Sequence, residues 1–286
     1  MEELIIHMGT PKTGSSFLQQ FFVLNSKLMK DSGILYPGVE NNVFIEDSNE
    51  EINGRLLTKI FREHQPKKYF ESLPEVINLL SSLQEFSSRK VFLSDESLGV
   101  FPSNLWTVIA AAAEHLEIKV KVFGYFRDPS TYYASHWSQV VRKHGEKLSL
   151  IEFTEQVYLP VWMNIIEMSH VFQNFHLSSY EQAIQEGGVE KFACKVLNIN
   201  HDLCSYPKEK MVNKALSLHA LTAIRMVNSE YGHVVGQKVE NLLCSHSAVE
   251  NAPRAKLPQK NSELVVLKHT KEFDMCKSIA ISTCVN

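Results

Sequence analysis

Residues Ile5 to Ser16, read as IIHMGTPKTGSS, carry an apolar run straight into a small, hydroxyl-rich loop with one lysine. Those residue types suit the holding of a phosphate. Gly9 and Gly14 allow tight turns that present backbone N–H groups to an anion, and a following helix adds the partial positive charge of its N-terminus. Lys12 supplies a cation, while Thr13, Ser15 and Ser16 supply hydroxyl donors. Gly9 and Gly14 have the spacing of the nucleotide-triphosphatase phosphate loop, but Ser15 stands where that pattern has its lysine, which weighs against a kinase or GTPase. A second apolar run, Val120 to Tyr125, leads into Phe126-Arg127-Asp128-Pro129 and a helical stretch containing Ser135. A guanidinium gives bidentate, charge-assisted bonds to phosphate, and Pro129 can start the helix that aims Ser135 at the same group.

The order Pro11-Lys12-Thr13-Gly14-Ser15-Ser16 closely resembles the loop of sulfotransferases that use 3′-phosphoadenosine 5′-phosphosulfate (PAPS), in which it grips the 5′-phosphosulfate end of the donor. Arg127 and Ser135, eight positions apart, are similar to the family's strand-end arginine and helix serine, which jointly bind the donor's 3′-phosphate. The stretch Phe175 to Glu181 reads as a strand with a Tyr-Glu ending that also resembles the family, where Tyr180 would lie near the adenine; a ring closing the core would read the same way. The resemblance runs from Leu4 to roughly Ile199. Val212 to Ser217 looks like a segment of bacterial members, and equally like a helix start capped by Asn213; Gly33-Ile34-Leu35-Tyr36-Pro37 also looks bacterial. The resemblance implies one α/β domain over residues 1–286, like the P-loop nucleotide hydrolases, with a donor-binding core over about 1–200 and a helical C-terminal part, 201–286, able to act as a lid. It further implies PAPS as donor, 3′-phosphoadenosine 5′-phosphate as product, and transfer to a hydroxyl, or an amine, of a carbohydrate or natural product; the sequence holds no His-Glu-x-x-His or comparable cluster, so no metal is expected.

Sulfuryl transfer needs a base for the acceptor's proton and a cation for the charge gathering on the leaving phosphate. By resemblance Lys12 fills the second role. Glu96, in Ser94-Asp95-Glu96-Ser97 after an apolar strand, stands at about the place where cytosolic members carry their catalytic histidine, and partial burial would raise its pKa toward working pH. Asp95 and Glu96 would also serve simply to cap the next helix. Glu40, in the loop after Gly33, and His136, beside Ser135, are the alternative bases. Two other classes stay open: a small-molecule kinase, and a nucleotide-binding relative without a base.

Composition is that of a soluble globular chain: 286 residues, 44% hydrophobic and 21% charged. A formal net charge of −3 gives no general attraction to nucleic acid or an anionic membrane, so the partner expected is a small-molecule or glycan acceptor. The five cysteines are odd in number, widely spread and free of any Cys-x-x-Cys pair, which argues for reduced thiols rather than a disulfide framework or zinc site. Neither the acidic first residues nor any later run reads as a signal peptide or a bilayer span, so a cytoplasmic protein is expected. Oligomeric state is not legible.

Positioning these residues are strand Leu4–Met8, helix Thr13–Lys30, strand Val91–Ser94, helix Ser103–Leu116, strand Lys119–Phe126, helix Pro129–Lys143, helices through Val171, and strand Asn174–Ser178. Phe17, Leu18, Phe21, Phe22, Leu28 and Met29 recur at helical intervals and form a buried face. Alternation of strand and helix predicts a central parallel sheet covered on both faces, with the motif residues at the carboxyl ends of its strands. Asn41 to Lys68 and the region after Asn198 read as variable surface that would shape an acceptor pocket.

Overall fold

Apolar residues occupy both parities along Leu4–Met8, Val91–Leu93 and Val122–Phe126, as strands covered on two faces require. The computed structural model describes residues 1–46, 52–64, 66–207, 216–244 and 255–284. In chain order, β1 (Glu3–Met8) leads through the glycine loop into α1 (Ser15–Leu24) and α2 (Ser26–Asp31), then a short β2 (Ile34–Leu35) and a hairpin of β3 (Gly38–Glu40) and β4 (Val43–Ile45). Helices α3 (Arg55–Glu63) and α4 (Leu73–Gln84) precede β5 (Lys90–Asp95); a 3₁₀ turn (Glu96–Val100) and α5 (Ser103–His115) precede β6 (Lys119–Phe126). There follow α6 (Pro129–His144), α7 (Leu150–Gln156), α8 (Val161–Val171), β7 (Phe175–Ser179), α9 (Tyr180–Gln185), α10 (Val189–Leu197), α11 (Leu218–Tyr231), α12 (His233–Cys244) and α13 (Gln259–Cys284).

Five strands form one sheet in the order β2-β5-β1-β6-β7, every neighbouring pair parallel. The expected α/β class with a central parallel sheet is what the chain adopts. Met8 is level with Asp95 on one side and Gly124 on the other, so β1 and β5 release their following loops at one edge. Ile5, Phe92, Phe123 and Tyr125 point to one face and pack with Leu18, Phe21 and Phe22 of α1 and Ala193 and Leu197 of α10. Residues of the opposite parity, Leu4, Ile6, Val91, Leu93 and Val122, are equally buried.

The chain packs as two compact units: Met1–Phe126 with Pro160–Lys210 and Asp274–Asn286, and Arg127–Leu159 with Met211–Phe273. The first holds the sheet. The second is helical, and within it Arg142 Nε donates to Glu240 Oε1 at 2.7 Å, Trp137 Nε1 donates to the Leu148 carbonyl, and Tyr133 Oη lies 3.0 Å from His269 Nε2. Among the described residues no helix is long and apolar enough to cross a membrane.

Several sequence expectations need correction. The helix expected over Thr13–Lys30 starts at Ser15 and is broken at Asn25, whose side-chain amide donates to the carbonyls of Phe21 and Ser205 and whose oxygen accepts from Ser205 N–H. The stretch Asn41 to Lys68, read as variable surface, also contributes a hairpin turn and a buried helix stripe. Asn41 and Asn42, at φ 50° and 62°, make the tight turn of the β3–β4 hairpin, and Leu56, Leu57 and Phe61 are the buried stripe of α3. Glu40 therefore lies in an exposed strand position rather than in a loop. Tyr180 opens α9 rather than ending a strand, because Ser179 caps that helix by accepting from Gln182 N–H. The helix start expected at Asn213 lies outside the described residues.

Candidate functional site

In the first unit the glycine loop is shaped by its own hydroxyls. Thr13 Oγ1 donates to the Thr10 carbonyl at 2.7 Å, Ser15 Oγ donates to the same oxygen at 3.4 Å, and Thr10 Oγ1 donates to the Tyr125 carbonyl of β6. All three side chains are buried. The hydroxyls of Thr13 and Ser15 thus brace the loop from within, whereas the sequence assigned them outward to an anion. Lys12 and Ser16 are the partly exposed members, with Pro11 and Gly14 beside them. Lys12 has φ 69° and Gly14 φ 83°, both left-handed, which costs a lysine about 1 kcal/mol and a glycine nothing. Gly14 is the N-cap of α1, and no side chain caps that helix, the arrangement in which first-turn N–H groups are able to receive an anion.

Glu96 opens the 3₁₀ turn after β5, and that turn touches the loop backbone to backbone. A Cβ on Gly9 would lie 2.4 Å from Glu96 Cα, and one on Gly99 would lie 2.4 Å from the Gly9 carbonyl oxygen. Only glycine permits this approach. Replacing Gly9 with alanine is expected to cost about 2–3 kcal/mol of overpacking, read as a lower urea midpoint at unchanged slope; an unshifted midpoint would show the contact to be soft.

Burial raises the pKa of Glu96 first of all, the neighbouring Asp95 carboxylate raises it further, and the Lys12 ammonium pulls it back. Loop cation and carboxylate thus act on one another electrostatically. Asp95 itself is buried; Oδ1 accepts from Ser97 N–H at 2.7 Å and Oδ2 accepts from Thr58 Oγ1 of α3 at 2.9 Å. Asp95 is accordingly the cap of the turn, and it leaves Glu96 half-buried beside the loop.

Tyr180 is brought to the loop as well: its Cε2 lies 3.7 Å from where a Gly14 Cβ would stand, and its ring leans on the core cluster. Tyr125 Oη donates to the Val189 carbonyl, which ties β6 to the start of α10. His7, also on β1, is wholly buried among Phe22, Phe123 and Tyr125, with Nδ1 2.8 Å from Ser94 Oγ. Burial lowers its pKa to about 3, so it stays neutral at ordinary pH.

In the second unit, Arg127 is the residue that follows β6, and its Nε donates to Thr131 Oγ1 at 3.0 Å. Asp128 caps α6 by accepting from the N–H groups of Ser130 and Thr131. Thr131 and Ser135 lie four residues apart, so Arg127, bonded to the first, lies along the helix face that carries the second. Both Arg127 and Ser135 are partly exposed. His136 is stacked on Tyr132 at 5.7 Å and lies 6.1 Å from Phe153, an aromatic setting.

Thr58, Arg62 and Asn53 escape the sequence reading although they frame Glu96. Asn53 donates to the Phe92 carbonyl and accepts from Ser94 N–H, extending the β5 edge, and Arg62 donates to Ser97 Oγ at 2.9 Å. The helical period of Leu56, Leu57 and Phe61 was the signal that could have found them.

Among solved structures the chain is similar to a sulfotransferase from Alicyclobacillus acidocaldarius, at 14% identity and a TM-score of 0.41, with 86% of this chain and 97% of that chain covered. No family model and no curated protein matches the chain.

Proposed function

We propose that the protein moves a sulfuryl group from PAPS to a hydroxyl, or an amine, of a carbohydrate or natural-product acceptor, without a metal. One observation carries the reading: a phosphate-type loop whose lysine is electrostatically linked to a half-buried carboxylate of raised pKa on the next strand's exit. That pair supplies what the reaction needs. The uncapped first turn of α1, with Ser16 and the backbone of residues 11–15, would hold the 5′-phosphosulfate. Glu96 would take the acceptor's proton as its oxygen attacks sulfur, and Lys12 would stabilise the charge left on the departing phosphate oxygen. Arg127 and Ser135 would bind the 3′-phosphate, and Tyr180 would offer its ring to the adenine. Glu40 and His136 are poorer candidates for this role, since one is exposed on a hairpin and the other is stacked on an aromatic ring. A cytoplasmic setting would suit the reading.

Calorimetry with 3′-phosphoadenosine 5′-phosphate, 5′-AMP, ADP and Mg-ATP tests it. The bisphosphate should bind tightest, and Arg127→Ala should weaken it roughly 10- to 100-fold while changing 5′-AMP little, because only the former carries a 3′-phosphate. Preference for Mg-ATP would turn the reading to a kinase. Equal losses for both nucleotides would refute the contact assigned to Arg127.

A further inference from the structure

Helix α3 places Arg55, Lys59 and Arg62 at intervals of four and three, on one exposed face. Arg55 Nη2 donates to the Val39 carbonyl at 3.0 Å, Lys59 Nζ to Asn42 Oδ1 at 3.3 Å, and Arg62 Nη2 to Ser97 Oγ at 2.9 Å. Each of these partners is a neutral oxygen. For Lys59 and Arg62 no ion pair with a carboxylate is found among the described residues.

The position of Arg62 is built. Thr58, one turn earlier on the same helix, donates to the buried Asp95 carboxylate, and that carboxylate also accepts from Ser97 N–H. A single buried group therefore fixes α3 against the 3₁₀ turn and sets the Arg62 guanidinium on Ser97, the residue next to Glu96. Lys59 stands one turn back along the same face, toward the hairpin. The result is a track of cations that starts at Ser97, next to Glu96, and runs along α3 to the β3–β4 hairpin.

We infer that Arg62 and Lys59 bind an anionic substituent, a carboxylate or sulfate, carried by the acceptor itself. The inference rests on the reading of Glu96 as the acceptor's base. A guanidinium matches the planar fork of a carboxylate or the oxygens of a sulfate, and its serine contact orients the fork without neutralising it. The acceptor class selected is an acidic sugar or an acidic natural product.

Paired probes test this: p-nitrophenyl β-D-glucuronide and p-nitrophenyl β-D-glucoside share their ring hydroxyls at C2, C3 and C4, and the first carries a carboxylate where the second carries a hydroxymethyl group. In calorimetry on the whole protein the glucuronide should bind at least about tenfold tighter, with the preference shrinking as salt is raised. Arg62→Ala should erase that preference, Lys59→Ala should reduce it, and both should leave binding of 3′-phosphoadenosine 5′-phosphate as it was. Arg62 is exposed and makes one hydrogen bond to a neutral oxygen, so its loss leaves the fold intact. Equal affinities for the two glycosides, no binding of either, or an Arg62→Ala loss that falls as heavily on the bisphosphate would overturn the inference. Failure of the donor reading shows separately, as absent binding of the bisphosphate, and leaves the glycoside comparison to stand or fall by itself.

Discussion

Glu96→Gln is expected to lower sulfuryl transfer by roughly 10²–10⁴-fold while 3′-phosphoadenosine 5′-phosphate binds as before, since the amide keeps the shape of the side chain and loses only its capacity to take a proton. The pH profile sharpens the test. Glu96 has its pKa raised, chiefly by burial and then by Asp95, so a base at this position is disabled by protonation at a higher pH than an ordinary carboxylate would be. The acid limb of kcat/KM should therefore lie above the usual carboxylate range of about 4. Lys12 acts in the opposite sense on the same group, and Lys12→Met should move that limb to still higher pH as well as slowing the reaction. Near-normal turnover in Glu96→Gln would remove it as the base, and an acid limb unmoved in Lys12→Met would disconnect the two residues.

Acid should destabilise the first unit through His7. Its folded pKa is depressed from 6.5 to about 3 by burial, so below pH 6.5 the unfolded chain takes up a proton that the folded chain refuses. Stability is full above pH 6.5 and falls as pH drops toward 3; the total is on the order of 5 kcal/mol, of which about 2 kcal/mol is lost between pH 7.5 and 5. His269 in the second unit, lowered to about 4 mainly by burial, works in the same direction. The double variant His7→Phe/Ser94→Ala removes the titrating ring together with the hydroxyl that would otherwise lose its partner. Urea melts at pH 7.5 and 5 should show a smaller pH loss in that variant. Parallel losses in both proteins would rule out His7 as the source.

Strands β1, β5 and β6 were legible because each is a compact apolar run, and the glycine loop because strand, glycines and lysine are contiguous in sequence. Tertiary contacts decided the rest. The helix after the loop carries an unbroken apolar period, yet Asn25 stops it, because its amide is claimed by Ser205, far along the chain. The loop itself shows in sequence which residues it contains but not which way they turn. Thr13 and Ser15 are both natural phosphate donors, and it is the carbonyl of Thr10, left without a helix or strand partner, that draws them inward. Glu96 was readable as a carboxylate at a strand exit, whereas its surroundings were not: Thr58 and Arg62 come from α3, whose polar neighbours Asn, Glu and Ser mask a short amphipathic period. Tyr180 was expected at the end of a strand and instead opens α9, beside Gly14. Its approach to Gly14 is a tertiary contact, which no local pattern announces.

The strand order has a consequence for how the chain is made. β1, which precedes the other four strands in the sequence, lies at the centre of the sheet, between β5 and β6. Its apolar residues Leu4, Ile5 and Ile6 find partners at Val91, Phe92 and Leu93, so the strand must wait for the ribosome to deliver nearly ninety further residues before its first neighbour exists. At ordinary synthesis speeds of about 5–20 residues per second that wait is on the order of 5–20 s, and the second neighbour, β6, comes later still. A sticky segment of the nascent chain is thus left without its sheet neighbours for a long interval, and the Thr10 hydroxyl finds its acceptor only once Tyr125 arrives. The yield of this protein in a cell therefore depends on whatever shields β1 during that interval.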